Sequence, residues 1–145
     1  MDHVTRIKQL LSELVKSDAS PLYALCQQIT VYVEHHPAQN NLTIGGLRAA
    51  LRRPPDGDEL LIRAAFTLSF HPFQALQVRY RLYDNDLNEV IQEMEHAEYM
   101  TALSRKEFVD DDGNEINLEE LHRRTFPYFV NQLRPGLTTF SGREE

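Results

Sequence analysis

Apolar residues recur at helical spacing from the start of the chain. Val4, Ile7, Leu10, Leu11, Leu14 and Val15 fall on one face, which predicts an amphipathic helix over 2–17 with Asp2 at its cap. Such a stripe is buried either against its own domain or against a second copy, so a homodimer through 2–17 is one expectation. Ser20 and Pro21 then carry the signature of a helix start. Leu22, Cys26, Ile29 and Val33 make the stripe of this second helix, and His35-His36-Pro37 ends it near residue 34. Cys26 lies on the stripe and reads as a packed thiol rather than a nucleophile. Thr43 can cap a short helix over 44–52, with Ile44, Leu47 and Leu51 facing inward. The turn "RPPDGD" follows, and Asp58 opens a further helix, "DELLIRAAFTLSF", that is apolar around most of its circumference.

The period then changes to two. Over Ala75–Tyr83, Val78, Tyr80 and Leu82 point one way and Gln77, Arg79, Arg81 and Tyr83 the other, the pattern of a half-buried strand. Beyond it Leu87, Val90, Ile91 and Met94 return to i, i+3, i+4 and i+7. That spacing predicts a helix running on through "EHAEYMTAL", with Asp86, Glu89 and Glu93 on its solvated face. Phe108-Val109 and Glu115-Ile116 are expected as short strands around an Asp112-Gly113 turn. Asn117 caps the next helix, "NLEELHRRTF", and Pro127 is expected to kink or restart the chain before "YFVNQL". The chain therefore reads as mainly α with a small antiparallel β-element, an α+β protein. One globular domain is expected over 1–133 and a flexible tail over 134–145.

The succession of helix, short helix, turn, helix and strand over 22–83 resembles a winged helix-turn-helix, and "LTIGGLRAAL" is similar to the second helix of that fold. The resemblance implies that the helix from Asp58 is the recognition helix of a DNA-binding regulator. Arg48, Arg52, Arg53, Arg79 and Arg81 are the nucleic-acid contacts of that reading. Asp58 and Glu59 at the helix start depart from it, since they would face phosphates, and a third helix this apolar suits burial or protein binding.

Charge changes the picture further. The 145 residues carry a formal net charge of −7, which disfavours general affinity for a polyanion. The charge is unevenly spread. From Arg48 to Arg81 six arginines stand against Asp56, Asp58 and Glu59, a net of +3, whereas from Asp84 to Glu120 thirteen acids stand against Arg105 and Lys106, a net of −11. The single cysteine forbids an internal disulfide. No apolar run approaches the ~20 residues of a membrane span. The first residues, "MDHVTRIKQLLSELVK", resemble neither a signal nor a transit peptide, so a cytoplasmic protein is expected.

Candidate chemistry is sparse. "FVDDDGNEINLEE" invites comparison with a calcium loop, but with Gly113 at the sixth position the first ligand position is Phe108, which offers no oxygen. The histidines do not cluster at metal spacing, and no phosphate-cradling glycine loop or nucleophile elbow is present. No catalytic residues, metal or cofactor are expected. What remains is an interaction module (an adaptor, inhibitor or immunity-type protein) that docks a basic surface of another protein. Its acidic contacts would be Asp110, Asp111, Asp112 and Glu115, and its aromatic contacts Phe126, Tyr128 and Phe129, if "FPYF" is exposed.

Overall fold

In the computed structural model, which describes residues 2–133, helices and strands follow in the order α1 (His3–Ser17), α2 (Pro21–Glu34), β1 (Asn41–Leu42), α3 (Ile44–Ala50), α4 (Asp58–Ser69), β2 (Leu76–Tyr83), β3 (Val90–Glu95), α5 (His96–Arg105), α6 (Leu118–Arg124) and β4 (Thr125–Asn131). A short 3-10 turn, Pro55–Gly57, leads into α4. The chain is thus α+β, with a small four-stranded antiparallel sheet in the order β1-β4-β2-β3. The expected tail over 134–145 lies outside the described residues. No helix among those residues is long and apolar enough to cross a membrane. Contacts group the described residues into two compact units: 2–77 with 129–133, and Val78–Tyr128.

The first unit is helical and follows the sequence pattern closely. Asp2 accepts a hydrogen bond from the Thr5 amide at 2.8 Å, and Ser20 accepts one from the Leu22 amide at 3.2 Å, so α1 and α2 start where their caps dictate. Ile7 and Leu11 of α1 are fully buried, as are Cys26, Ile29 and Val33 of α2. The two helices pack on each other; of the α1 stripe Ile7 and Leu11 are buried and Val4, Leu10, Leu14 and Val15 half-buried. Helix α4 also packs on α2, and its Leu61, Ala64, Ala65 and Leu68 are buried. The Cys26 thiol points at the Ala64 carbonyl, 3.7 Å away, and burial pushes its pKa up to about 12, which makes it an unreactive packed group. Thr43 caps α3 through the Gly46 amide at 3.0 Å. The elements behind the winged-helix resemblance occur in their expected order, with the short strand β1 as an addition between the second and third helices. Strand β1 pairs with β4, Asn41 opposite Val130 and Leu42 opposite Phe129. Buried Asn131 holds this corner: its side-chain amide donates to the Val33 carbonyl at 3.1 Å, and its side-chain oxygen accepts from the Leu133 amide at 2.8 Å.

The second unit corrects the sequence reading. Strand β2 alternates as expected, Val78, Tyr80 and Leu82 being buried while Arg79, Arg81 and Tyr83 are half-buried. The helix expected through Leu87, Val90, Ile91 and Met94 is absent. Leu87 has φ +59° in a turn, Val90–Glu95 is the strand β3, and the helix begins only at His96. Of the four residues in that apparent stripe only Met94 is buried; Leu87, Val90 and Ile91 are each more than two-fifths exposed. The i, i+3, i+4, i+7 spacing was therefore a coincidence of positions rather than a core face. Pairing with β2 decides the strand instead, placing Glu95 opposite Arg79, Met94 opposite Tyr80 and Glu93 opposite Arg81. Two β-branched residues at its start favour the extended state.

Glu95 and Glu98 form a reciprocal capping box that starts α5. The two short strands expected around Asp112-Gly113 reduce to one antiparallel bridge, Val109 with Glu115, closed by Gly113 at φ +89°. Asn117 caps α6 through the Glu120 amide at 2.9 Å, as the sequence indicates. Pro127 neither kinks nor restarts a helix: "TFPYFVN" is strand β4. Pro127 lies outside the pairing with β1, which involves only Phe129 and Val130.

Candidate functional site

Asp110 organises the acidic corner of the second unit. Its Oδ1 accepts the backbone amides of Asp112 at 3.0 Å and Asn114 at 2.8 Å, and the Gly113 amide reaches its carbonyl at 3.0 Å. This is an Asx-type turn in which the carboxylate is occupied by the backbone. The turn is tied to β3 by the Asp111 amide, which donates to Gln92 Oε1 at 2.9 Å. With the backbone fixed in this way, Asp111, Asp112 and Glu115 project exposed side chains. None of these three carboxylates has an ion-pair partner among the described residues.

Behind the turn lies a polar cleft of about 490 Å³ inside the same unit. Asp84, Asp110, Asp112, Glu115 and Glu120 line it, together with exposed Ile91 and Arg124. The sequence reading did not single out Arg124. Glu120 stands four residues before Arg124, the spacing of a helical ion pair. Yet the Glu120 carboxylate is gripped by both Nη2 and Nε of Arg123, at 2.9 and 3.2 Å. That hydrogen bonding holds the Glu120 carboxyl below its usual pKa. Arg124 turns inward instead, is only 8% exposed, and donates from Nε to the Tyr83 carbonyl at 2.8 Å. The only signal in the sequence was the doubled "RR" after a Glu, which does not say which arginine takes the acid.

The arginines proposed for nucleic acid are interleaved with acids. Arg48 meets Asp58 at 2.8 Å in the first unit. In the second, Arg79 faces Glu95 at 3.8 Å and Arg81 faces Glu93 at 3.7 Å across the β2–β3 pair. Tyr128 joins this group: its hydroxyl accepts from Arg79 Nε at 3.1 Å and donates to Glu93 at 3.0 Å, while Arg81 lies 4.1 Å over its ring. The bond to Tyr128, with Glu95 and Glu93 nearby, raises the pKa of Arg79 further above its already high value. Arg52 is exposed and Arg53 half-buried.

The aromatic contacts separate in the same way. Phe129 is fully buried, edge-on to Phe66 at 5.5 Å, and Tyr128 is buried by its network. Neither presents a ring to a partner, so the exposed aromatic cluster expected at "FPYF" reduces to Phe126, which is 45% exposed and stands edge-on to Tyr83. Alternation alone would not separate them: adjacent Tyr128 and Phe129 point to opposite faces of β4 and both are covered there, while Phe126, on the same face as Tyr128, is not.

No group of three or more potential metal-ligating side chains occurs among the described residues. His35 and His36 each bond through Nδ1 to a carbonyl of their own helix, Val31 and Tyr32 at 2.9 and 2.7 Å. The first unit holds a larger open groove of about 780 Å³, lined by Leu11, Val31, Tyr32 and Leu51 among others, with no convergent cluster of charges. No protein-family model matches the chain, and neither a curated protein nor a solved structure does.

Proposed function

We propose that the protein is a non-catalytic interaction module whose acidic corner docks a basic surface of another protein. One observation carries this reading: Asp111, Asp112 and Glu115 are exposed on a hydrogen-bonded turn and no cation of the described chain neutralises them. Unpaired charges on a fixed backbone attract a complementary surface without paying to order a loop. Exposed Val109 and Ile91 supply apolar contact next to the charge. Roles as adaptor, inhibitor or immunity-type protein all fit such a face. The nucleic-acid reading is not carried forward, because Arg48, Arg79 and Arg81 each face a carboxylate.

The test is the triple variant D111K/D112K/E115K, which leaves the turn-forming Asp110 in place. A partner captured by the parent protein should be retained about tenfold less by the variant, and less by the parent as salt rises. Capture of the same partner to the same extent by both proteins, at low and high salt alike, would rule out this face.

A further inference from the structure

The open groove of the first unit departs from the charge of the chain as a whole. The protein carries a net charge of −7, yet no carboxylate is among the described side chains on the wall of this groove of about 780 Å³. Its titratable groups are Lys8 of α1 and Tyr32, His35 and His36 at the end of α2. Lys8 meets Glu34 at 2.6 Å, which places the ammonium beside the two histidines. That ion pair engages one side of a group with three N–H donors. Tyr32 gives its hydroxyl proton to Gln39 at 2.8 Å, and its ring stacks on His36 with 4.1 Å between centroids. His35 Nδ1 lies 2.9 Å from the Val31 carbonyl, and His36 Nδ1 lies 2.7 Å from the Tyr32 carbonyl. A carbonyl oxygen only accepts, so each Nδ1 carries a proton and each neutral ring keeps a lone pair on Nε2. A second proton leaves the carbonyl bond in place and makes Nε2 a donor on a cation. A cation at this point lies on the negative end of the α2 dipole.

Away from this basic end the wall is largely apolar, with Leu11, Ala24, Val31 and Leu51, and Val31 is 44% exposed. From Ala24 to the His35 cap the helix rises roughly 16 Å at 1.5 Å per residue, room for an acyl chain of about a dozen carbons. The volume lies in the range of small-molecule sites. An apolar track that ends in basic groups, with no acid on its wall to repel an anion, complements a chain with an anionic head. A cationic head would meet Lys8 and find no carboxylate on the wall to receive it. We propose that this groove binds a long-chain carboxylate, with its head on Lys8, His35 and His36 and its chain along Val31 towards Ala24. The imidazoles take up protons as it binds, hold Nδ1–H on the helix carbonyls and donate Nε2–H to the carboxylate. No residue of the acidic corner takes part, so this inference stands apart from the docking reading.

The experiment is calorimetric titration of the full chain with laurate below its micellar concentration, with butyrate (the head without the chain) and with dodecyltrimethylammonium (the same chain on a cationic head). Laurate should bind saturably as a single molecule per chain, and the other two should bind at least about tenfold more weakly. Laurate affinity should rise about tenfold from about pH 8 to about pH 6, with proton uptake, since histidine is the side chain that changes charge in this interval. The exposed pair variant H35Q/H36Q should lose that pH dependence, and V31D, which puts a carboxylate on the wall, should weaken laurate about tenfold. Equal affinity for laurate and dodecyltrimethylammonium, several equivalent sites, or a parent whose affinity ignores pH overturns the inference without any variant having to fold. So does unchanged laurate affinity in folded H35Q/H36Q and V31D. Binding of an acidic amphipathic peptide in place of laurate also overturns it, by making the groove a protein-docking face. D111K/D112K/E115K, altered only in the second unit, should bind laurate as the parent does. Laurate binding by a protein whose partner capture ignores that triple reversal keeps this inference and ends the docking reading; lost capture without laurate binding does the opposite.

Discussion

Asp110 and Asp112 share a side chain and stand two positions apart, yet the fold uses them differently. Asp110 spends its carboxylate on two backbone amides at 2.8 and 3.0 Å, whereas the Asp112 carboxylate accepts no hydrogen bond within the described chain. Asp110→Ala should therefore lower unfolding stability by about 1 kcal/mol, the usual net worth of such a bond. Asp112→Ala should leave stability within about 0.5 kcal/mol and act only on binding. Urea titration of the two variants checks this, and equal losses would show that the turn is not organised by Asp110. The residue types at this corner were legible in the sequence. Which acid serves the backbone and which faces outward was not, because that depends on where each amide points once Gly113 takes its positive φ.

Among the elements, β3 is the informative one. A helix through Ile91 and Met94 would put both on one buried face, three residues apart. In the strand Met94 is fully buried opposite Tyr80, while Ile91 is 41% exposed beside the cleft. Met94→Ala should then cost about 2–5 kcal/mol, and Ile91→Lys should stay within about 0.5 kcal/mol. Chemical denaturation distinguishes the cases, since comparable losses at both positions would favour the helical face. The contrast with the first unit is instructive. α1, α2, α3 and α4 were legible because each has a local start signal or a run of inward residues that its own turns can satisfy. Strand β3 has only the weak extended preference of Val90 and Ile91 within its own span. Its state is set by pairing with β2, whose residues meet it only after the chain has folded back.

For the whole molecule, each unit holds a buried titratable group that resists ionisation. Burial raises Cys26 from 9.0 to about 12 in the first unit and Tyr80 from 10.0 to about 12 in the second. Both groups are neutral when protonated, so the folded state retains the proton that the unfolded chain releases. Their contribution to stability is complete below about pH 9, the lower of the two unperturbed values, and is lost as pH rises towards about 12. Denaturation midpoints should accordingly fall across that alkaline interval, and tyrosinate absorbance should show a fraction that ionises only on unfolding. Midpoints independent of pH there would contradict the burial of both groups.

The sequence by itself determined the α+β class, the caps of the first three helices, the alternation of β2 and the concentration of acids between Asp84 and Glu120. These are short-range properties: a cap acts over three residues, and a stripe or an alternation is written in consecutive turns. Only the tertiary structure decided that 90–95 is a strand and that β1 pairs with β4. It also decided that Tyr128 and Phe129 are inside and that Arg123, not Arg124, takes the Glu120 carboxylate. Each of those outcomes depends on a partner distant in sequence, and local pattern cannot name a partner that the folding of the chain has yet to bring near.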